Sequence, residues 1–141
     1  MIAGGGDEIL ALAGREADIV AIVPAGITGS GQLAKEAVLL DTLKRQAALV
    51  REHANGREFE LSMFLDCVLT DDRDATIADM AEKAKADPAL VRDSAYRGIG
   101  TLAQIRDHIR LLRREVGVTY FCLRGPDVEK LGPIIDELTG S

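Results

Sequence analysis

Apolar positions along the chain change period repeatedly between short continuous runs and helical stripes. Met1-Ile2-Ala3 is a short apolar run that stops at Gly4-Gly5-Gly6, and Asp7 stands where it can cap a helix carrying Ile9, Leu10, Leu12 and Ala13. Asp18 to Val23 is rich in β-branched residues, lacks polar alternation and ends at Pro24, as a buried parallel strand does. The segment PAGITGSGQ, Pro24 to about Gln32, has the glycine, proline and hydroxyl content of a surface loop. A long helix follows, with Leu39, Leu43, Ala47 and Val50 on one face and Asn55-Gly56 as a left-handed stop.

Phe59 to Thr70 is predicted as the longest strand. Phe59, Leu61, Met63, Leu65, Cys67 and Leu69 fall on one face, and Glu60, Ser62, Phe64, Asp66 and Val68 on the other. Asp71, Asp72 and Asp74 head a helix through Ile77, Met80, Ala81 and Ala84, and Pro88 starts a further short helical piece. Thr101 with Gln104 forms a capping box for a helix whose stripe is Leu102, Ile105, Ile109, Leu112 and Val116, ending at Gly117. Val118 to Leu123 is a fourth apolar strand, and Pro126-Asp127 opens a last helix through Val128, Leu131, Ile134, Ile135 and Leu138.

Each strand is separated from the next by far more than a hairpin's length, which calls for parallel pairing through right-handed crossovers. The expected fold class is therefore α/β, a parallel (βα)4 unit in one domain over residues 1–141. A closed (βα)8 barrel takes roughly 250 residues, so the chain amounts to half of one. The partly polar face with Ser62, Phe64 and Asp66 suits a barrel interior completed by other strands.

Composition narrows the function classes. A net charge of −6 repels phosphodiester backbones, and the basic residues cluster only at Arg110, Arg113 and Arg114, so no nucleic acid is expected as partner. No apolar stretch approaches the ~20 residues of a membrane helix, and MIAGGGDEIL has neither the basic end nor the apolar block of a signal peptide. No membrane partner and a cytoplasmic location are the expectations. Cys67 and Cys122 both lie in apolar strand-like runs and are expected as buried thiols of a reducing compartment. His53 and His108 lie on polar helix faces without carboxylate or thiol at ligand spacing, so both are expected at the surface and no metal site is expected.

The stretches IAGGGDEILALAGREADIVAIVP (Ile2 to Pro24) and GTLAQIRDHIRLLRREVGVTYFCL (Gly100 to Leu123), with FELSMFLDCVLTDD in order between them, resemble the luciferase-like monooxygenases. The resemblance covers nearly the whole chain and rests on the order of individually common motifs. Ile19 stands where a glycine often follows the Ala-Asp pair, and Leu102 where proline is frequent. It implies strands five to eight, the C-terminal half, of a TIM-like (β/α)8 barrel. It further implies an oxidoreductase that uses a deazaflavin (coenzyme F-420) or FMN for hydride transfer or oxygen activation on a small organic substrate. Much of the ring pocket and the catalytic side chains would then lie in the other half, and no catalytic residue is named.

The candidate cofactor-binding residues are Gly4, Gly5, Gly6, Pro24, Thr28, Asp66 and Arg124. Three glycines at a strand-to-helix turn can present backbone N–H groups to a phosphate, or can merely make the turn tight. Pro24 and Thr28, with Ser30, belong to the loop at the same end of the sheet. Asp66 can bind a flavin ring, act as a base or be a hydrogen-bonded structural acid, and Arg124 can meet an anion or be a solvated loop residue. The alternative functions are a non-catalytic flavin-binding or self-associating half-barrel module, and a plain α/β interaction domain. Two unpaired sheet edges and an apolar inner face lead to the expectation of a homodimer, or of a missing N-terminal half.

Overall fold

In the computed structural model, which describes residues 1–24 and 35–139, strands and helices alternate along the chain. The elements are β1 (Ile2–Gly4), α1 (Asp7–Glu16), β2 (Ile19–Ile22), a 3-10 turn (Lys35–Val38), α2 (Leu40–Ala54), β3 (Glu60–Leu69), α3 (Arg73–Ala84) and α4 (Pro88–Asp93). There follow β4 (Arg97–Gly100), α5 (Leu102–Glu115), β5 (Tyr120–Arg124), a second 3-10 turn (Val128–Leu131) and α6 (Gly132–Leu138). Among the described residues every strand pairing is parallel. The fold is the expected α/β alternation, and no described helix is long and apolar enough to cross a membrane.

β3 organises the sheet. The Glu60 and Asp66 N–H groups donate to Asp18 O and Tyr96 O, whereas the Leu61 carbonyl accepts from Thr119 N–H. Since successive residues point to opposite edges, β2 and β4 share one edge of β3, at its two ends, and β5 takes the other. The sheet thus runs β1-β2-β3-β5, with β4 added beside the C-terminal end of β3. β4 is a fifth strand that the apolar pattern does not predict. Its sequence Arg97-Gly98-Ile99-Gly100 has two glycines and a single apolar residue, and glycine is depleted in strands. Gly98 lies against Ile105, Leu65 and Cys67, where a Cβ would make ordinary van der Waals contact.

The odd residues of β3, Leu61, Met63, Leu65 and Cys67, are buried with α1, α2, α5 and the C-terminal segment in the main core. Among the even residues Ser62 is buried, Phe64, Asp66 and Val68 are half-buried, and Glu60 is exposed. One face of the sheet is therefore covered by helices and the other is covered only in part. A smaller cluster, Ile77, Ala81, Val91 and Ile99, gathers with Val68 and Met80.

Helix ends follow the sequence closely, with two exceptions. The Thr101–Gln104 capping box forms reciprocally, with N···O distances of 2.9 and 3.2 Å. Thr101→Ala should cost about 1 kcal/mol, read as a lowered midpoint in urea unfolding. At α1 the cap is Gly6, and no side chain caps the helix; Asp7 is the first helical residue and its carboxylate lies 3.3 Å from Arg45 Nη1. The last helix is preceded by a 3-10 turn, Val128–Leu131, and begins only at Gly132.

Candidate functional site

The C-terminal ends of the strands bring the candidate residues to one end of the sheet. Val23 N–H donates to Gly4 O at 3.0 Å, which fixes the exit of β2 beside the glycine turn. The three glycines differ in what they do. A side chain on Gly4 would collide with Ile9, so glycine there serves packing; on Gly6 it would meet nothing within 4 Å. The Gly5 carbonyl accepts a 2.9 Å hydrogen bond from Gln46 Nε2, whose residue is buried on α2. Gln46 escaped notice in the sequence, although it is a polar residue on the Leu43, Ala47, Val50 stripe. Its Oε1 has no hydrogen-bond partner among the described residues.

Gly6 has ordinary extended dihedrals (φ −78°, ψ 155°), so neither strain nor crowding requires glycine at the start of α1. The ten-residue helix thus offers first-turn N–H groups without a capping side chain and with open space above them. Asp7 and Glu8 in that first turn work against an anion, and Arg45 offsets the nearer of them.

Asp66 and Arg124, which the sequence offered as separate candidates, form one unit. They are register partners on β3 and β5. Arg124 Nε and Nη2 donate to the two Asp66 carboxylate oxygens at 2.8 and 3.0 Å. This fork holds the guanidinium 4.0 Å from the centre of the Phe64 ring, and that ring in turn lies 4.9 Å from the Tyr96 ring. The hydrogen bond to Asp66 raises the Arg124 pKa above its already high ordinary value. Asp66 is consequently an anchor for Arg124 and not a free base. The arrangement is a flat cation fixed over an aromatic ring on the open face, with further guanidinium N–H donors left over. Phe64 was legible as an inner-face residue; Tyr96 was not, because it precedes the unpredicted β4. Tyr96 is 2% exposed, its hydroxyl has no hydrogen-bond partner among the described residues, and burial pushes its pKa far up.

Other expectations resolve individually. Pro24 is half-buried at the end of β2, and Thr28 and Ser30 lie outside the described residues. Cys67 is buried as expected, and burial, followed by the neighbouring Asp66, pushes its thiol up to about 11, which keeps it unreactive. Cys122 is exposed, contrary to expectation. It alternates with half-buried Phe121 and Leu123 on β5, and the face it occupies has no cover. His108 is likewise no surface residue: it is half-buried, and its Nε2 makes a 2.8 Å hydrogen bond with Ala95 O. Desolvation lowers its pKa, the Ala95 hydrogen bond opposes that, and Arg73 adds to the lowering. His53 is half-buried. Among the described residues no cluster of His, Cys, Asp and Glu can hold a metal ion.

Several solved enzyme structures share the architecture. An F420-dependent secondary alcohol dehydrogenase in complex with an F420-acetone adduct matches with TM-score 0.67 and 17% identity, over 96% of this chain and 46% of that one. The coenzyme F420 dependent tetrahydromethanopterin reductase from Methanopyrus kandleri matches with TM-score 0.61 and 16% identity, over 94% of this chain and 47% of that one. The chain shares the fold of about half of each of these TIM-barrel enzymes. A riboflavin lyase with modified FMN and substrate riboflavin extends the set to FMN, with TM-score 0.62, 16% identity and coverage of 96% and 42%. The chain spans less than half the length of each of these luciferase-like enzymes. No protein family profile matches the sequence, and no curated protein is similar to it.

Proposed function

We propose that the chain is the C-terminal half of a luciferase-like oxidoreductase barrel, strands five to eight, and that it anchors the phosphate end of FMN or of coenzyme F-420. The observation that carries the proposal is the uncapped start of α1 at Gly6, open to solvent at the strand end where such barrels bind their ligands. Gly6 and the first residues of α1 hold the phosphate through backbone N–H groups, and Gln46 keeps the turn in shape through the carbonyl of buried Gly5. Pro24 flanks the same end. Asp66 lies two strands from the glycine turn, roughly 10 Å across the sheet. Arg124, held by Asp66 over Phe64, presents its free N–H donors and its flat face to a bound ring or to an anionic substrate. When bound, the cofactor supplies hydride transfer or oxygen activation toward a small organic substrate. This half contributes binding and orientation, while the complement of the open face comes from a second copy or from an N-terminal half.

A flavin-binding module without chemistry of its own is the second reading. The engagement of Asp66 by Arg124 favours it, since that removes the obvious carboxylate base from this half. Hydride transfer by the cofactor-loaded chain separates the two readings.

Titration of the purified chain with FMN and with coenzyme F-420, followed by cofactor fluorescence, tests the anchoring role. Saturation is expected, and absence of binding at millimolar cofactor would refute it. Gly6→Asp sharpens the test. Aspartate is a preferred N-cap and has room at this position, so the variant should fold as stably as the parent or better by a few tenths of a kcal/mol. Its carboxylate would occupy the anion cradle, and the dissociation constant should rise at least ~10-fold. Unchanged affinity would place the phosphate elsewhere.

A further inference from the structure

Asn55 is the single asparagine of the sequence, and Gly56 follows it. The pair forms the turn that leaves α2 toward β3, and both residues are exposed. Asn55 caps α2 in the left-handed region, φ 51° and ψ 48°, which L-residues adopt at a cost. Gly56 continues with φ +84°, and a Cβ there would meet nothing within 4 Å. Among the described residues one backbone hydrogen bond spans the pair, from Arg57 N–H to Ala54 O at 3.0 Å, while Gly56 N–H donates to none. The turn is weakly held, open to water and free of side-chain bulk at its second residue.

We propose that Asn55-Gly56 is a site of spontaneous deamidation, at which the folded chain exchanges an amide for a carboxylate with water as the co-reactant. The proposal depends neither on a cofactor nor on what completes the sheet. Asparagine is among the thermolabile residues, because the next backbone nitrogen closes a five-membered ring on its side chain. Gly56 N gives its proton to solvent base and attacks Asn55 Cγ. The N–Cγ bond forms, the Cγ–Nδ2 bond breaks, and ammonia leaves after taking a proton back from solvent. Water then opens the cyclic imide at one carbonyl or the other, giving aspartate or isoaspartate. In the native turn, ψ 48° directs Gly56 N away from the Asn55 side chain, so rotation about the Cα–C bond comes first. A Cβ on the following residue would hinder that rotation and shield the nitrogen, and glycine does neither.

The place of the turn gives the change a mechanical consequence. The pair leads directly into Arg57, whose Nη2 donates to Gly14 O and Ala17 O at 2.6 Å and so holds the C-terminal end of α1. Aspartate adds a negative charge at the C-terminus of α2, the end where the helix dipole disfavours one. It leaves the backbone length unchanged, however, and tolerates the left-handed region as asparagine does. Isoaspartate routes the backbone through the side-chain carbon and inserts one methylene between α2 and Arg57, which shifts Arg57 off the two carbonyls of α1.

With a single asparagine in the chain, the intact mass reports this site. Incubated in mildly alkaline buffer below its melting temperature, the chain should gain one mass unit and one negative charge beyond the formal −6, at a rate that rises with pH. A synthetic peptide of residues 51–60 sets the rate of the freely rotating pair, and the folded chain should convert within ~100-fold of it, as local opening of a turn allows. Slower conversion means that only global unfolding exposes the pair, and overturns the proposal. So does an equal mass gain in an Asn55→Asp chain, which would place the reaction at a glutamine. The isoaspartyl fraction, distinguished by carboxyl methylation with an isoaspartate-specific methyltransferase, should melt at least ~3 °C below the Asn55→Asp chain. Equal melting would show that Arg57 keeps its hold on α1 and would refute the mechanical consequence.

Discussion

Gly125→Ala is expected to lower the unfolding free energy by about 3–5 kcal/mol. Gly125 follows the last residue of β5 with φ +127°, a conformation that side chains on L-residues rarely adopt. A Cβ there would fall on the carbonyl of Cys67, and its next neighbours would also be Cys67 backbone atoms. Cys67 lies within β3, so the obstacle is the backbone of the central strand and cannot swing away as the end of a side chain would. Backbone strain of ~1–3 kcal/mol and overpacking of ~1–3 kcal/mol act together at this position. Against a total stability of about 5–15 kcal/mol, the loss should lower the melting temperature by roughly 10–20 °C. A thermal melt followed by circular dichroism checks this. A shift of less than ~3 °C would mean that the β5 turn relaxes freely and that Gly125 does not fix it. The turn directly follows Arg124, so the same variant should also loosen the guanidinium from its place between Asp66 and Phe64.

That residue illustrates what the sequence does and does not display. Arg124-Gly125-Pro126 is legible as a turn after an apolar strand, because glycine and proline break strands locally. The reason glycine is required is the passing of another strand's carbonyl 58 residues earlier in the chain, which no local pattern contains. The same division runs through the fold. β2, β3, β5 and the capped α5 follow from period and capping chemistry, all of them local properties. β4 escapes because its pairing depends on β3 having a free edge beyond the end of β2, a condition set by topology.

The site divides in the same manner. The glycine turn and the inner-face position of Asp66 are readable from spacing. That Asp66 holds Arg124 depends on the register of β3 against β5, and that Cys122 is exposed depends on the openness of one face. Periodicity reports how many faces a strand has. It does not report which of them another element covers.

Leu65→Ala should reduce stability by 2–5 kcal/mol, through the most buried part of the strand on which β2, β4 and β5 all depend. Leu65 is 0% exposed, faces the helices, and is the register partner of Leu123 on β5. Leu65, Cys67 and Ile105 enclose Gly98, so the space left by a truncated leucine is bounded by strand backbone on one side and by α5 on the other. Strand backbone cannot collapse into a cavity as loops do, which favours the upper part of the range. Leu65→Met keeps nearly the same volume and should cost less than ~1.5 kcal/mol. Urea unfolding of the two variants measures both values at once. A difference of less than ~1 kcal/mol between them would show that the core relaxes around β3, and would remove the rigid strand by which Asp66, one residue further along, is held to Arg124.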